Sequence, residues 1–186
     1  MTDKTAQTEL HRIFLIEGLP DPLTPASAHL QLFDNYIENT RLRIRSIRDP
    51  QSKKWTRILE QKFAPVNDLS CRKLSQIYLN DAEYAALEHL EGREIRKNRY
   101  FHEFDGRSMI FDIHIGKLWG LCTMTVAFEN ADALTNFVPP PFCIFEVTQV
   151  TAFFGSELVG KTFADVQEAV ERLERITPIV SEMPDE

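Results

Sequence analysis

The sequence predicts an α+β fold in which eight antiparallel strands close into a barrel, with short helices outside it and a helix at its C-terminal end. Two observations predict this fold. Segments in which polar and apolar side chains alternate recur along the chain and end at turn residues, which is typical of antiparallel strands. Several of these segments also carry basic side chains on one face. A closed barrel can turn that face toward a polar interior, whereas a hydrophobic core would not tolerate it.

Four strands are predicted in the first half of the chain, because alternation there runs between turn residues. In chain order they occupy residues 8–17, 40–48, 54–63 and 68–79. The turn at 49–52 joins the second and third of them as a hairpin. Residues 25–28 are expected to form a short helical turn. Asn80 and Glu83 are expected to cap a short helix reciprocally.

Four more strands are predicted in the second half on the same grounds. They occupy residues 94–104, 108–115, 118–128 and 142–151. Asp105 and Gly106 form a two-residue hairpin turn. Asn130 begins a brief helix that ends before the prolines at 139–141. Apolar side chains recur at helical spacing over 163–176, which predicts a terminal helix, and the acidic tail after it is expected to fray.

Composition limits the classes of function. The chain has 186 residues and 43% hydrophobic content, which fit a single domain over residues 1–186. The net charge of -7 argues against a general nucleic-acid binder. The 3 cysteines show no CxxC spacing, so a disulfide framework or zinc knuckle is not expected and a reducing cytoplasm fits best. No apolar run is long enough to span a membrane and no secretory signal is present, so we expect a cytoplasmic protein.

The strand at 40–48 reads TRLRIRSIR and places Arg41, Arg43 and Arg45 on one face. Like charges about 7 Å apart repel each other by roughly 2 kcal/mol at an effective dielectric constant near 20. An anion, or carboxylates of the chain itself, is therefore expected between these arginines. The alternative is a solvated edge strand, since charges on an edge discourage aggregation.

Further basic side chains share faces on other strands. Lys97 and Arg99 lie on one face of the strand at 94–104, and Lys62 shares a face with Glu60. In a closed barrel these side chains and the arginines of strand 40–48 would line the interior. The sequence therefore predicts a tunnel that holds an anion.

The motifs that carry these residues also resemble a known family. HRIFLIEGLP, FDNYIENTRLRIR, LEQKF, SQIYLNDAEYAAL, IRKNRY, FDIHIGKLWGL and FEVT follow one another in the order seen in CYTH-domain proteins, also called triphosphate tunnel metalloenzymes. The resemblance covers about residues 8–160. It implies an eight-stranded antiparallel tunnel that binds triphosphates or nucleotides and uses Mg²⁺ or Mn²⁺. The family includes class IV adenylyl cyclases and thiamine or inorganic triphosphatases.

The resemblance implies that the phosphate-binding positions of the family are kept here. They correspond to Arg43 and Arg45, with Arg41 beside them, and to Lys62, Lys97 and Arg99. Arginine suits phosphate because its planar fork donates two parallel hydrogen bonds, and lysine adds a mobile point charge.

The resemblance also implies that the metal-binding positions are mostly lost. Acidic or basic residues of the family pattern are replaced by His11, Ile13, Thr125, Ala127 and Val150. Carboxylates remain at Glu9, Asp112 and Glu146, and Glu60 adds another. Because Mg²⁺ prefers a set of hard oxygen ligands, a weak or absent Mg²⁺ or Mn²⁺ site is expected.

Three functional hypotheses follow. The first is a protein that binds triphosphate, polyphosphate or a nucleotide in the basic tunnel, with weak or no hydrolysis. The second is a metal-dependent triphosphatase with a rebuilt site for Mn²⁺, Fe²⁺ or Zn²⁺, in which a carboxylate orients the attacking water. Its candidate ligands are Glu9, His11, Asp112, His114 and Glu146, and its candidate catalytic carboxylates are Glu9, Glu60, Asp112 and Glu146. The third is a protein-interaction module with a closed tunnel.

Other functions are less consistent with the sequence. An adenylyl cyclase is disfavoured because no purine-specific motif is present. The expected partner is a small phosphate anion rather than nucleic acid or a membrane, and homodimerisation stays open. Replacing Arg43 and Arg45 by alanine is expected to abolish anion binding and to leave the fold intact or more stable, because it removes charges that repel one another.

Overall fold

The computed structural model describes residues 7–63 and 67–176, and in this part of the chain nine strands form one antiparallel sheet. The strands are β1 (Gln7–Ile16), β2 (His29–Tyr36), β3 (Leu42–Arg48), β4 (Trp55–Phe63), β5 (Cys71–Leu79), β6 (Arg93–Phe104), β7 (Arg107–Ile115), β8 (Cys122–Phe128) and β9 (Cys143–Glu146). Their order is β5-β4-β3-β2-β6-β7-β8-β1-β9, and β5 also pairs with β1. That pairing closes a ring of eight strands, which confirms the predicted antiparallel barrel.

The ring differs from the predicted set in one strand. β2 belongs to the ring, although the sequence predicted no strand between residues 17 and 40. The helical turn predicted at 25–28 is a turn and bend without helix. β9 is short and pairs with β1 next to β5, so it lies outside the ring. The predicted strand at 142–151 ends early because the chain turns after Glu146, where the Val150 amide donates to the carbonyl of Val147.

The main hydrophobic core lies outside the barrel. It is built on the outer faces of β1, β6, β7 and β8 from Phe14, Tyr100, Phe111, Met124 and Val126. The segment after β8 covers it with Leu134, Phe137 and Phe142. Burying one large apolar side chain contributes about 1.5–3 kcal/mol, so this outer core stabilises the barrel from outside its charged interior.

In the described part of the chain four α-helices accompany the barrel: α1 (Asp81–Leu87), α2 (Ala131–Thr135), α3 (Gly155–Leu158) and α4 (Phe163–Ile176). The reciprocal cap of α1 by Asn80 and Glu83 is confirmed, and Asn130 caps α2 through the amide of Ala133. The terminal helix α4 has the predicted bounds, and the acidic tail predicted to fray lies outside the described residues. None of the helices described here has the length and apolar character needed to cross a membrane.

The segment after β9 closes one end of the barrel. Leu15 and Ile95, on the inner faces of β1 and β6, belong to one buried cluster with Val147, Phe153 and Leu158. Gly155 lies directly against Tyr36, because a Cβ atom at residue 155 would be 1.7 Å from the Tyr36 hydroxyl oxygen. The polar interior is therefore sealed at this end by apolar side chains.

Candidate functional site

The inner faces of the barrel strands carry a dense set of charged side chains. Their positions follow from the period of two along each strand, and contacts between neighbouring strands hold them together. The inward-facing basic residues are Arg43, Arg45, Lys62, Arg72, Lys97 and Arg99, and the acidic ones with which they pair are Asp34, Glu60 and Asp112. Arg41 precedes β3 and is exposed.

Asp34 lies between the two arginines of β3. Arg45 donates from Nε to Asp34 Oδ1 at 2.5 Å and from Nη2 to Oδ2 at 2.7 Å, and Arg43 donates from Nη1 to Oδ2 at 3.2 Å. Asp34 is opposite Arg45 in the β2–β3 register, so strand pairing itself brings the charges together. Burial favours protonation of Asp34, but the two guanidinium groups outweigh it and hold its pKa well below the usual range.

Glu60 is the second carboxylate that contacts Arg43 and Arg45. It accepts a hydrogen bond from Arg43 Nε and one from Gln76 Nε2 at 2.7 Å, and its Oε1 lies 3.6 Å from Arg45 Nη1. Burial would raise the pKa of Glu60, but Arg43 and Arg45 lower it to about 2. The carboxylates expected between the arginines are therefore supplied by the chain itself.

Asp112 neutralises the second basic strand. Its oxygens accept hydrogen bonds from Nε and Nη2 of Arg99, each at 2.7 Å, and Lys97 Nζ lies 2.7 Å away. Burial would raise the pKa of Asp112, but Arg99 and Lys97 keep it far below the usual range. Lys97 Nζ is also 3.9 Å from Asp34 Oδ2, which joins both groups into one network across five strands.

The structure does not bring the predicted metal ligands together. Asp112 is occupied by Arg99 and Lys97, and His114 Nδ1 lies 3.1 Å from the carbonyl oxygen of Leu121. Glu146 pairs in register with the outward-facing Phe14 and accepts hydrogen bonds from Arg12, so it lies outside the barrel.

The donor set does not fit a divalent ion. Over residues 7–63 and 67–176, no group of three or more His, Cys, Asp or Glu side chains is placed to share one. Asp34, Glu60 and Asp112 each bind arginine or lysine, which occupies the oxygens that Mg²⁺ or Mn²⁺ would need. Of the carboxylates at the predicted site positions, Glu60, Asp112 and Glu146 pair with basic side chains in this structure.

One part of the interior has donors without acceptors. Among the described residues, Arg43 Nη2, Arg72 Nη2 and both ring nitrogens of His11 are buried without a hydrogen-bond partner. Strand register places these groups side by side. Lys62 is opposite Leu74, the inward position next to Arg72 on β5. Arg72 is opposite Glu9, the inward position next to His11 on β1. Burial lowers the pKa of His11 to about 3, and the charges of Arg72 and Lys62 add to the effect. Burial likewise lowers the pKa of Lys62, to which Arg43 and Arg45 contribute.

Sequence reasoning missed two members of this interior, Asp34 and Arg72. Asp34 was passed over because the strand that carries it was not predicted. Arg72 lies opposite Glu9 in the β1–β5 register, and its guanidinium lies 4.8 Å from the ring centre of Phe154. A second alternation test on CRKLSQIYL would have placed Arg72 on the face of Leu74 and Gln76.

The ion pairs reverse the expected effect of removing the two arginines. Replacing Arg43 and Arg45 by alanine leaves Asp34 and Glu60 buried without a cation, so the free energy of unfolding should fall by about 3–5 kcal/mol. Urea unfolding measures this loss. Arg48→Ala, on the same strand, is the control and should cost about 1 kcal/mol or less. A double variant as stable as the native chain would contradict the counter-ion network.

Stability should fall on acidification in two stages. The pKa values of His11 and His114 are lowered in the folded state by burial, so the unfolded chain takes up protons first once the pH drops below 6.5. The folded-state pKa values of Asp34, Glu60 and Asp112 are also lowered, so their stabilisation is complete above about pH 5 and is lost toward about pH 2.

Urea unfolding between pH 8 and pH 3 tests this sign. His114→Gln removes one titrating group and should flatten the decline between pH 6.5 and about 4. Stability that rises as the pH falls from 7 to 4 would contradict this assignment. It would show that the histidines are not buried as neutral rings, or that the carboxylates are not buried in ion pairs.

Comparison with known proteins adds information on the fold. No family model matches the chain. An inorganic triphosphatase of Nitrosomonas europaea is 38% identical over 60 residues, which are 32% of this chain and 40% of that protein. The chain therefore matches less than half the length of this curated relative.

Two solved structures resemble the whole barrel. The inorganic triphosphatase NE1496 superposes with a TM-score of 0.55 and 24% identity, over 81% of this chain and 93% of that one. A second structure, described as the hypothetical protein NE1496, gives a TM-score of 0.56 and 23% identity, over 83% and 99% of the two chains. The chain thus has the closed antiparallel barrel fold of the inorganic triphosphatase NE1496.

Proposed function

We propose that this chain is a divergent CYTH-domain protein that binds a phosphate-chain anion inside its barrel without a metal ion and with weak or no hydrolysis. The ligand class is triphosphate, polyphosphate or the phosphates of a nucleotide. The observation that carries the proposal is the excess of cations in the interior. Six basic side chains face inward; among the described residues Asp34, Glu60 and Asp112 form ion pairs with them, and Glu9 lies opposite Arg72, so four carboxylates face six cations. An anion is the ligand that balances such an interior.

The same carboxylates are poorly suited to hydrolysis. A general base works best when its pKa is near the working pH, whereas the arginines lower the pKa of Glu60 to about 2 and keep that of Asp112 far below its usual range. Metal ions in phosphoryl transfer neutralise charge and position the nucleophile, and the interior carboxylates are already bound to cations. Binding without turnover is therefore the function that these contacts support best.

A metal-dependent triphosphatase is the second candidate. The identity of 38% over 60 residues with an inorganic triphosphatase favours it. In that case a metal ion would have to displace Lys97 and Arg99 from Asp112, or use Glu9, which is half-buried on β1. The third candidate, an interaction module, is favoured by the ion pairs in the interior and by the apolar side chains at one end.

Thermal unfolding with tripolyphosphate, ATP and orthophosphate separates the three candidates. Each ligand is added with EDTA, Mg²⁺, Mn²⁺ or Zn²⁺, and released phosphate is measured in the same samples. We expect tripolyphosphate with EDTA to stabilise the protein by about 2.7 kcal/mol at a concentration of 100 times Kd, without release of phosphate. Sodium chloride of equal ionic strength is the control and should not produce this shift.

The other outcomes contradict the proposal in distinct ways. Phosphate release that requires one divalent ion would establish the triphosphatase. A protein that no phosphate compound stabilises, with or without metal, would leave the interaction module.

A further inference from the structure

The interior cations are not equivalent, and this difference points to one subsite. We propose that the anion is held by Lys62, Arg72 and the Nη2 group of Arg43, and that this subsite takes a single phosphoryl group. The group is orthophosphate itself or the terminal phosphate of a longer ligand. This inference rests on the proposed function and says where in the barrel, and by which end, the ligand binds.

Most of the interior is already neutralised. Arg99 and Lys97 bind Asp112, and Arg45 binds Asp34 through two hydrogen bonds. An anion bound at those cations would have to displace a carboxylate from a buried pair, which leaves that carboxylate without a partner. These basic side chains are therefore poor sites for phosphate, although the family resemblance places phosphate-binding positions on them.

Arg43 differs from the other interior arginines of β3 and β6, because its Nε and Nη1 have hydrogen-bond acceptors and its buried Nη2 has none among the described residues. Its Nε donates to Glu60, and its Nη1 donates to Asp34 and to the hydroxyl of Tyr36 at 3.1 Å. These contacts fix the plane of the guanidinium, and Nη2 is left buried without an acceptor in the described part of the chain. A donor fixed in this way binds an anion without losing further side-chain freedom.

Lys62 and Arg72 supply the charge for the same place. No carboxylate among the described residues forms an ion pair with Lys62. Arg72 lies opposite Glu9 on β1, but its Nη2 is buried without an acceptor in the described part of the chain. As whole residues Lys62 and Arg72 are half-buried, so neither side chain is fully enclosed by the barrel. A phosphate carries about 1.5 to 2 negative charges and three acceptor oxygens, which suits three cationic donors.

His11 completes the surroundings of this subsite. Its side chain is 5% exposed, and neither ring nitrogen has a hydrogen-bond partner among the described residues. A neutral imidazole donates one hydrogen bond, so it can contact a phosphate oxygen without adding charge. Buried polar atoms are normally hydrogen-bonded, and an acceptor at this place would satisfy the donor nitrogen of His11 together with Arg43 and Arg72.

The carboxylates restrict the subsite to one phosphoryl group. Arg43 links the subsite to Glu60 and Asp34, so a second phosphate placed deeper along the interior would approach these negative charges and be repelled. The rest of a longer ligand must point away from them, toward solvent. Affinity should therefore depend little on the number of phosphates.

Calorimetric titration in EDTA tests the subsite with orthophosphate, pyrophosphate and tripolyphosphate. For the native chain we expect the three Kd values to agree within about tenfold. Lys62→Met and Arg72→Met should each raise all three by about tenfold or more, because each removes a charged hydrogen-bond donor. Lys73→Met is the matched control, since Lys73 is exposed on the opposite face of β5, and it should leave the Kd values unchanged.

Stability without ligand gives a second readout. Lys62→Met should melt at the same temperature as the native chain or higher, because it removes an ammonium group that burial and Arg43 disfavour. Loss of binding in this variant then cannot come from loss of fold. If Arg72→Met does not fold, Lys62→Met decides the question alone.

Two results would overturn the inference. Affinity that rises about a hundredfold with each added phosphate and persists in Lys62→Met would place the ligand at Lys97 and Arg99, and the proposed function would survive. If none of the three compounds binds the native chain, the proposed function itself fails.

Discussion

Pairing of buried carboxylates with arginine and lysine across neighbouring strands is the constraint on which this barrel depends. Charges cannot be buried alone without a large loss of hydration, so each interior cation needs a partner or a ligand. The antiparallel register supplies the partners, because it sets Asp34 opposite Arg45, Glu60 opposite Arg43 and Asp112 opposite Arg99. The same register determines which donors stay unpaired, and so it connects the fold to the proposed binding site.

The division of the chain into an outer apolar core and an inner polar network follows from this constraint. Phe14 and Phe111 pack outside the barrel, where the segment after β8 covers them, while the inner faces of the same strands carry polar groups. Hydrophobic burial on the outer face can then stabilise the fold while most of the interior stays polar. The apolar end near Tyr36 limits the entry of water on one side, which strengthens the ion pairs inside.

The sequence predicted the features that depend on local patterns. Alternation predicted seven of the eight ring strands. The helix caps at Asn80 and Asn130 and the turn at Asp105-Gly106 could also be predicted, because each depends on residues close together in sequence. β2 was missed because its inward-facing Asp34 breaks the apolar alternation, and aspartate is depleted in strands. The basic residues of the site could be found from their spacing, but their partners depend on strand register. Glu146 illustrates this, because its pairing with β1 turns it toward Arg12 outside the barrel.

A crystal structure of the protein grown with orthophosphate and Mn²⁺ tests most directly whether internal carboxylates have taken the place of metal ions. The account predicts a phosphate bound to Lys62, Arg72 and Arg43, with Asp112 still paired to Arg99 and no metal ion in the barrel. A metal ion on Asp112, with Lys97 and Arg99 displaced toward the phosphate, would contradict it.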